Sequence, residues 1–481
     1  MICISVTPTS RTLAPADLLN ASRHGDLIEL CLDHFLKEPD VADLIRMVDK
    51  PVLVSCRRPI DGGHWTGSED QRLHLLRQAI VAGPEYIELD LEIADQIPRF
   101  GATRRVISCT SLNRPLEHVA AAIDRCIRSQ ADVVKVTWRT DDLDAIWPLL
   151  AAVTQPHPVP VVGLGLGTCG ITFSLMGRKY GCPWVYAALE RGMEPCASQP
   201  TVWQLREHYR WHEITPRTRF LGIIGFGASE NATARVFNAA FERMQKDVRC
   251  LPLLPGDLSR LPAMLAGMKI NGLVVDSGCD SNLGRFAESA SELSSTTGHI
   301  DLLMQRSSGW KAETTLLEAV DLAGRTMLAS EKWTGRGSVL VCGHGPLARA
   351  AARYFSATGA AVSLGAPSDN AASGAARVAG VRFTPWNAVY GLHPDTVILA
   401  DRDLKPGSAR GEVNPMILRE RLTLVDLTAY PLPSEFAPEA TARGARIIEP
   451  STIFRAQLKL QFGMLAGRKL SDDVIDSAMS H

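Results

Sequence analysis

A lysine at position 135 interrupts Ala131-Asp-Val-Val-Lys-Val-Thr-Trp138, a run whose other residues read as a buried β-strand. Burying an ammonium is costly unless it meets a partner or gives up its proton. An amine that has lost its proton is a nucleophile, able to attack a ketone and form a Schiff base. The alternative is a lysine that snorkels from a strand end to water. Neighbouring strand-like runs carry further polar residues: Glu29 with Asp33, Arg57, Glu88 with Asp90, and Thr110. Alternation along 27–33 puts Glu29, Cys31 and Asp33 on one face.

Something must gather these groups, and the order of elements supplies a candidate. Strand-like runs fall at 2–7, 27–33, 51–57, 86–92, 106–111, 133–138, 159–166 and 184–189. Helical patterns lie between most of them, for example at 68–82, 117–129 and 141–152. Eight strands alternating with helices predict a (β/α)8 TIM barrel, whose reactive groups project from the carboxyl ends of the strands. A helix at 200–211 ends this unit, and 214–219 reads as a polar joint. A second α/β unit starts with a strand at 220–225, continues with a helix at 232–245 and strands near 248–254, 272–276 and 300–305, and closes with a helix at 314–330. After a hinge at 331–337, a third unit opens on Ser338-Val-Leu-Val-Cys-Gly-His-Gly-Pro-Leu-Ala348, a strand, glycine turn and helix start. The expected domains are 1–213, 218–330 and 331–481.

Bulk composition excludes several classes. A chain of 481 residues is too long for one hydrophobic core. Its 46% apolar and 21% charged content is that of a globular protein, and a formal net charge of −1 points to neither a nucleic-acid nor a membrane partner. The first residues, Met1-Ile-Cys-Ile-Ser-Val, lack the basic flank of a signal peptide. Eleven scattered cysteines show no Cys-x-x-Cys pair, which suggests a reducing, cytoplasmic setting. His208 and His212, four apart on a helix, are a possible metal pair, with no nearby cysteine or carboxylate spacing to complete a site, so no metal is expected.

Taken in order, the segments resemble a type I 3-dehydroquinate dehydratase joined to a shikimate dehydrogenase, the bifunctional arrangement familiar from plants. The first resemblance rests on Ile28-Glu-Leu-Cys-Leu-Asp33, Pro51-Val-Leu-Val-Ser-Cys-Arg57 and Gly62-Gly-His-Trp-Thr-Gly-Ser-Glu69. It continues through Tyr86-Ile-Glu-Leu-Asp-Leu91, the Lys135 run and Ala197-Ser-Gln-Pro-Thr201. The second rests on Gly222-Ile-Ile-Gly225, Phe237-Asn-Ala-Ala-Phe241, the turn at Gly343 and a C-terminal helix carrying Gln457 and Gln461. The resemblance implies that Lys135 forms an imine with the substrate ketone, that a histidine then removes the adjacent proton, and that water leaves. It also implies substrate contacts from Glu29, Arg57, Asp90 and Gln199, and from Ser229 in the second half. No cofactor is implied for the dehydratase half. For the other half the turn Gly343, Gly345, Ala348 leaves NADP as an option.

Departures from the family pattern are numerous. The family histidine is replaced by Thr110, whose hydroxyl is no base near neutral pH. Losing such help costs about 10²–10⁴ in rate. Cys31 and Ser174 stand where the family has arginines, and neither can clamp a carboxylate as a guanidinium does. Asp90 replaces a glutamate, and His64 is the candidate substitute base. In the second half, the Ser-x-Ser segment reads Ser229-Glu-Asn231, the lysine aligns with Asp280, and the substrate asparagine with Asp301. Lys311 and Glu313 fall at the Asn-Thr-Asp motif, as a rearranged pair or as two solvated charges. Pro346 removes a backbone N–H from the glycine turn, and Ser363-Leu-Gly-Ala-Pro-Ser368 lacks both the Asn-Arg-Thr grip for a 2′-phosphate and a ribose-binding acid.

Three readings follow. One is a shikimate-pathway lyase converting 3-dehydroquinate to 3-dehydroshikimate, with a degenerate dehydrogenase half. Another is a non-catalytic scaffold or metabolite-binding member of the lineage. The third is an imine-forming lyase on a different ketone. The expected ligand is a small, dehydroquinate-like hydroxy-keto acid; the scaffold reading also allows another enzyme as partner, and a homodimer is a further option.

Overall fold

The computed structural model describes residues 1–196, 198–275, 281–328, 337–409 and 411–480. Ala197, Asp280 and all but Gly337 of the hinge at 331–337 lie outside the described residues. Contacts separate two compact units, Met1–Phe220 with Phe241–Lys269, and Leu221–Ala240 with Ile270–His481.

The first unit alternates strands and helices. They are β1 (Ile2–Val6), α1 (Ala14–His24), β2 (Leu27–Cys31), α2 (Val41–Arg46), β3 (Val52–Ser55), α3 (Glu69–Val81), β4 (Tyr86–Asp90) and β5 (Arg104–Ser111). Then come α4 (Val119–Arg128), β6 (Val133–Arg139), α5 (Leu143–Thr154), β7 (Val161–Leu166), α6 (Gly170–Lys179) and β8 (Val185–Ala188). The eight strands are parallel neighbours in the order β7-β6-β5-β4-β3-β2-β1-β8, and the two end strands lie against each other. The sheet therefore curls into a nearly closed TIM-like barrel. Such strands are covered on both faces, which is why β1, β2, β3 and β4 are buried at every residue. Helix α3 starts where Ser68 and Gln71 cap each other reciprocally.

The barrel interior is layered by alternation. Cys3, Leu27, Leu53, Tyr86, Val106 and Val133 belong to one apolar cluster near the strand starts. Two residues further along each of these strands stand Ser5, Glu29, Ser55, Glu88, Ser108 and Lys135, all buried. A greasy floor thus carries a polar storey, at the level from which barrel enzymes work.

Two local expectations change. The strand at 27–33 stops at Cys31, and Leu32–His34 forms a 3-10 turn that lifts Asp33 out of the sheet. The helix at 200–211 shrinks to a five-residue π turn, Gln204–His208, followed by a 3-10 turn at Trp211–Glu213. Arg210, in the left-handed region at φ 49°, breaks the run between them.

After the barrel come β9 (Arg219–Ile224), α7 (Ala228–Arg243), β10 (Val248–Leu253), α8 (Leu261–Met268), β11 (Gly272–Val275), β12 (Ser289–Ala290) and α9 (Glu292–Thr297). β13 (Leu302–Arg306), β14 (Gly309–Glu313) and α10 (Leu316–Met327) follow. β10 lies in the first unit, where Thr172 Oγ1 donates to Pro252 O at 2.6 Å. In the second unit β11 pairs parallel with β9 and antiparallel with β13, which forms a hairpin with β14.

The rest of the chain holds β15 (Ser338–Cys342), α11 (Pro346–Ala357), β16 (Ala361–Gly365), α12 (Asp369–Ala379), β17 (Arg382–Phe383) and β18 (Thr396–Leu399). It closes with β19 (Thr423–Asp426), α13 (Phe436–Ala442), β20 (Arg446–Ile447), α14 (Pro450–Ala466) and α15 (Asp472–Met479). The parallel order β17-β16-β15-β18-β19-β20 is Rossmann-like, with the glycine turn after β15 at the topological switch point.

Candidate active site

Lys135 sits on β6 with its side chain 2% exposed, so the snorkelling alternative is excluded. Its Nζ donates to both oxygens of Glu88, at 3.1 and 2.9 Å, and lies 4.5 Å from the centre of the Tyr186 ring. Arg57 engages the same carboxylate in a fork, Nε to Oε1 at 3.2 Å and Nη2 to Oε2 at 2.9 Å. Its Nη2 also pairs with Glu29. Ser5 Oγ donates to Glu29 Oε2 at 2.6 Å and accepts from Gln199 Nε2 at 3.3 Å. One connected network therefore links Lys135, Glu88, Arg57, Glu29, Ser5 and Gln199 across four strands and the loops after β3 and β8.

The charges decide what this network can do. Burial pushes the Lys135 amine below its ordinary value, and the Arg57 cation adds to this, while Glu88 opposes both. Burial alone would raise Glu88, but Arg57 and Lys135 together outweigh it and hold the carboxyl well below the usual range. With every group ionised, two carboxylates face two cations and the cluster is neutral. Releasing the lysine proton leaves Arg57 to balance both acids. Among the described residues, Thr137 Oγ1 and Gln199 Oε1 are buried without a hydrogen-bond partner, polar atoms that a bound polar molecule would satisfy.

Other expected positions go elsewhere. Asp90 pairs with Arg72 of α3 at 2.8 Å and with Arg58 at 3.4 Å, and Arg72 also donates to Cys56 O, so the carboxylate ties a helix to the strand ends. Cys31 is fully buried beside Ser55, with its thiol pushed up by burial. Ser174 lies within α6 and spends its hydroxyl on Gly170 O. Thr110 pairs in register with Thr137 at the end of β5. His64 packs its ring 4.3 Å from that of His34. Sequence reasoning counted Glu88 among the polar strand residues but gave it no role, although its place two residues after Tyr86 gave the interior face. Ser5 and Tyr186 were missed altogether, since neither type advertises a role.

The second unit spends its polar groups on structure. Asp301 caps α10, accepting from Thr315 N at 2.9 Å, Thr315 Oγ1 at 3.0 Å, Leu316 N at 2.8 Å and Gln457 Nε2 at 3.1 Å. Ser229 donates to the neighbouring Glu230 at 2.9 Å. Ser229, Glu230, Tyr430, Gln457 and Gln461 line one small pocket. Lys311 and Glu313 form an ion pair at 2.5 Å.

The glycine turn after β15 does not fit a dinucleotide. Asp401, beyond the end of β18, accepts from His344 N at 2.8 Å and Gly345 N at 3.1 Å, and pairs with His344 Nδ1 at 3.0 Å. Its carboxylate therefore holds the N–H groups that a pyrophosphate would need. Gly343, at φ 138°, and Gly345 would each bring a Cβ within 2.9 Å of that carboxylate, so here the glycines make room for Asp401.

Residues 2–216 match the family model of the type I 3-dehydroquinase. The chain is 22% identical to the chloroplastic bifunctional 3-dehydroquinate dehydratase/shikimate dehydrogenase of Arabidopsis thaliana, over 97% of this chain and 82% of that one. Among solved structures, the dehydroquinate dehydratase and shikimate dehydrogenase from S. pombe is similar over 99% of this chain and 98% of its own, at 14% identity and a TM-score of 0.44. A shikimate dehydrogenase in complex with NADP+ covers 55% of this chain and 96% of its own, at 18% identity and a TM-score of 0.47.

Proposed function

From a chain that joins a type I 3-dehydroquinase domain to a shikimate dehydrogenase-like region, we infer that the barrel is an imine-forming lyase acting on a 3-dehydroquinate-like hydroxy-keto acid. The single observation that carries this reading is a fully buried lysine amine, depressed by its surroundings, beside a carboxylate that an arginine shares. The amine attacks the ketone carbon and water leaves as the C=N bond forms. The resulting iminium acidifies the neighbouring C–H. Loss of that proton and of the β-hydroxyl, as a second water, gives the unsaturated imine, and hydrolysis frees the enone and regenerates the lysine.

Glu29, Arg57 and Gln199 are the groups assigned to the substrate's hydroxyls, reached through the network that ends at Lys135. Asp90 is assigned a positioning role through Arg72. Thr110 supplies no base, so turnover is expected to be slow. The Asp401 contact supports a second-half reading without NADP: that region serves as a scaffold, and Ser229 and the Gly343 turn do no redox chemistry.

Borohydride trapping tests the lyase reading. Reduction in the presence of 3-dehydroquinate is expected to fix the ligand's mass on the peptide that carries Lys135. No adduct, together with no thermal shift by dehydroquinate or shikimate, favours the non-catalytic reading. An adduct with other hydroxy-ketones alone redirects the substrate while keeping the chemistry.

A further inference from the structure

We propose that Asp33, His34 and His64 form a binding site for a divalent transition-metal ion of the zinc class, at the carboxyl ends of β2 and β3. The inference is independent of the imine reading, since none of the three residues bonds to Lys135 or Glu88. Asp33 and His34 lie in the turn Leu32–His34 that follows β2, and His64 in the loop after β3. One donor atom from each falls within 4.8 Å of the other two. His34 Nε2 stands 3.7 Å from Asp33 Oδ2, and the two imidazoles are 4.3 Å apart at 45°.

Asp33 is suited to a cation. It is 6% exposed, and among the described residues its ion-pair partner is His34, with no lysine or arginine in reach. A buried carboxylate is costly without a compensating charge. Its oxygens are already aimed: Oδ1 accepts from Arg57 N at 3.2 Å and Oδ2 from His64 N at 2.8 Å. Such outer bonds fix ligating carboxylates, and each oxygen keeps a lone pair. The bond to the His64 backbone also anchors the residue whose ring supplies the third donor.

Two imidazoles and one carboxylate, without a thiolate, suit zinc or ferrous iron rather than a cuprous ion. Metal–ligand bonds of about 2.0–2.1 Å need donors roughly 3.4 Å apart. A modest inward rotation of the exposed His64 ring and of His34 closes the gap. Three protein ligands leave a coordination position open for water or for an oxygen of a small molecule. The two histidines are far apart in sequence, which is why pattern reading looked to His208 and His212 instead.

The full chain, stripped with a chelator and titrated with Co²⁺, tests the site. One equivalent is expected to give visible d–d absorbance without a thiolate charge-transfer band, and Zn²⁺ should displace it. His34→Gln and His64→Gln should each weaken uptake at least tenfold, as ligand losses do, while His212→Gln leaves it unchanged. Should the variants fail to fold, Zn²⁺ is expected to protect His34 and His64 of the native chain from diethylpyrocarbonate, read by peptide mass. A thiolate band, unchanged uptake in the double variant, or no protection at micromolar metal would overturn the proposal.

Discussion

Replacing Glu88 by glutamine tests the centre of the site, because that carboxylate is the shared counter-charge of Lys135 and Arg57. Removing one partner from a buried ion pair costs about 3–5 kcal/mol. Arg57 keeps Glu29, so the loss belongs near the lower end, about 3 kcal/mol. Its pH dependence is more diagnostic than its size. Glu88 is the group that raises the Lys135 amine, so without it the folded-state value falls further below the unfolded one. Between those two values the unfolded chain binds more protons than the folded chain, and stability rises with pH by about 1.4 kcal/mol per unit. That window is wider in Glu88→Gln than in the wild type. The stability gap should therefore be larger at mildly acidic pH and narrower as pH rises toward the ordinary lysine value. Urea unfolding at both ends of that range would measure it, with amide exchange on β4 and β6 assigning the change to the barrel. A gap under about 1 kcal/mol, or one that ignores pH, would mean that water reaches these charges and that the lysine is an ordinary ammonium.

Lys135→Met should leave the barrel folded, with Glu88 still bridged by Arg57, and should abolish the borohydride adduct. An adduct that persists would place the reactive amine elsewhere. Thr110→His restores an imidazole at the end of β5 and should raise dehydration by about 10²–10⁴ if the base is what limits turnover. An unchanged rate would shift the limit to the carboxylate clamp lost at Cys31 and Ser174. Asp401→Ala frees the amides of His344 and Gly345, and calorimetry should then detect pyrophosphate or NADP where the wild type binds neither. Tight binding by the wild type would refute the reading of that turn.

The barrel was legible because its signal is local. Short β-branched runs bounded by helical patterns survive any detail of packing, and alternation from Tyr86 to Glu88 to Asp90 assigns an inner face without knowing the partner strands. Lys135 was legible for the same reason, since one ammonium in an apolar run is an anomaly wherever the run ends up. The partners were not. Whether Glu88 or Asp90 answers Lys135 depends on which carboxylate Arg72 of α3 claims, and that is a contact through space. The strand-end prediction at 27–33 failed because Asp33 finds two backbone N–H donors just beyond the end of the neighbouring strand β3, at Arg57 and His64, and leaves the sheet to meet them. A helix at 200–211 has the right apolar spacing, but Arg210 turns left-handed and ends it early.

The second unit shows how a fold can persist while its ligand chemistry is spent internally. A glycine turn leading into a helix presents amides to an anion, and any anion satisfies them. Asp401 does so from 57 residues away. In the other half of the unit a Cβ at Gly227 would fall 2.5 Å from Glu230 Oε2, so that carboxylate lies against the turn leading into α7. A tethered anion competes at an effective concentration of about millimolar, and its ordering was already met when the chain folded. A free phosphate or carboxylate must displace it and then leave an acid beside its own negative charge. Repulsion at both turns thus opposes the anionic ligands for which such turns are suited, while in the barrel the acids are paired with Arg57 and Lys135.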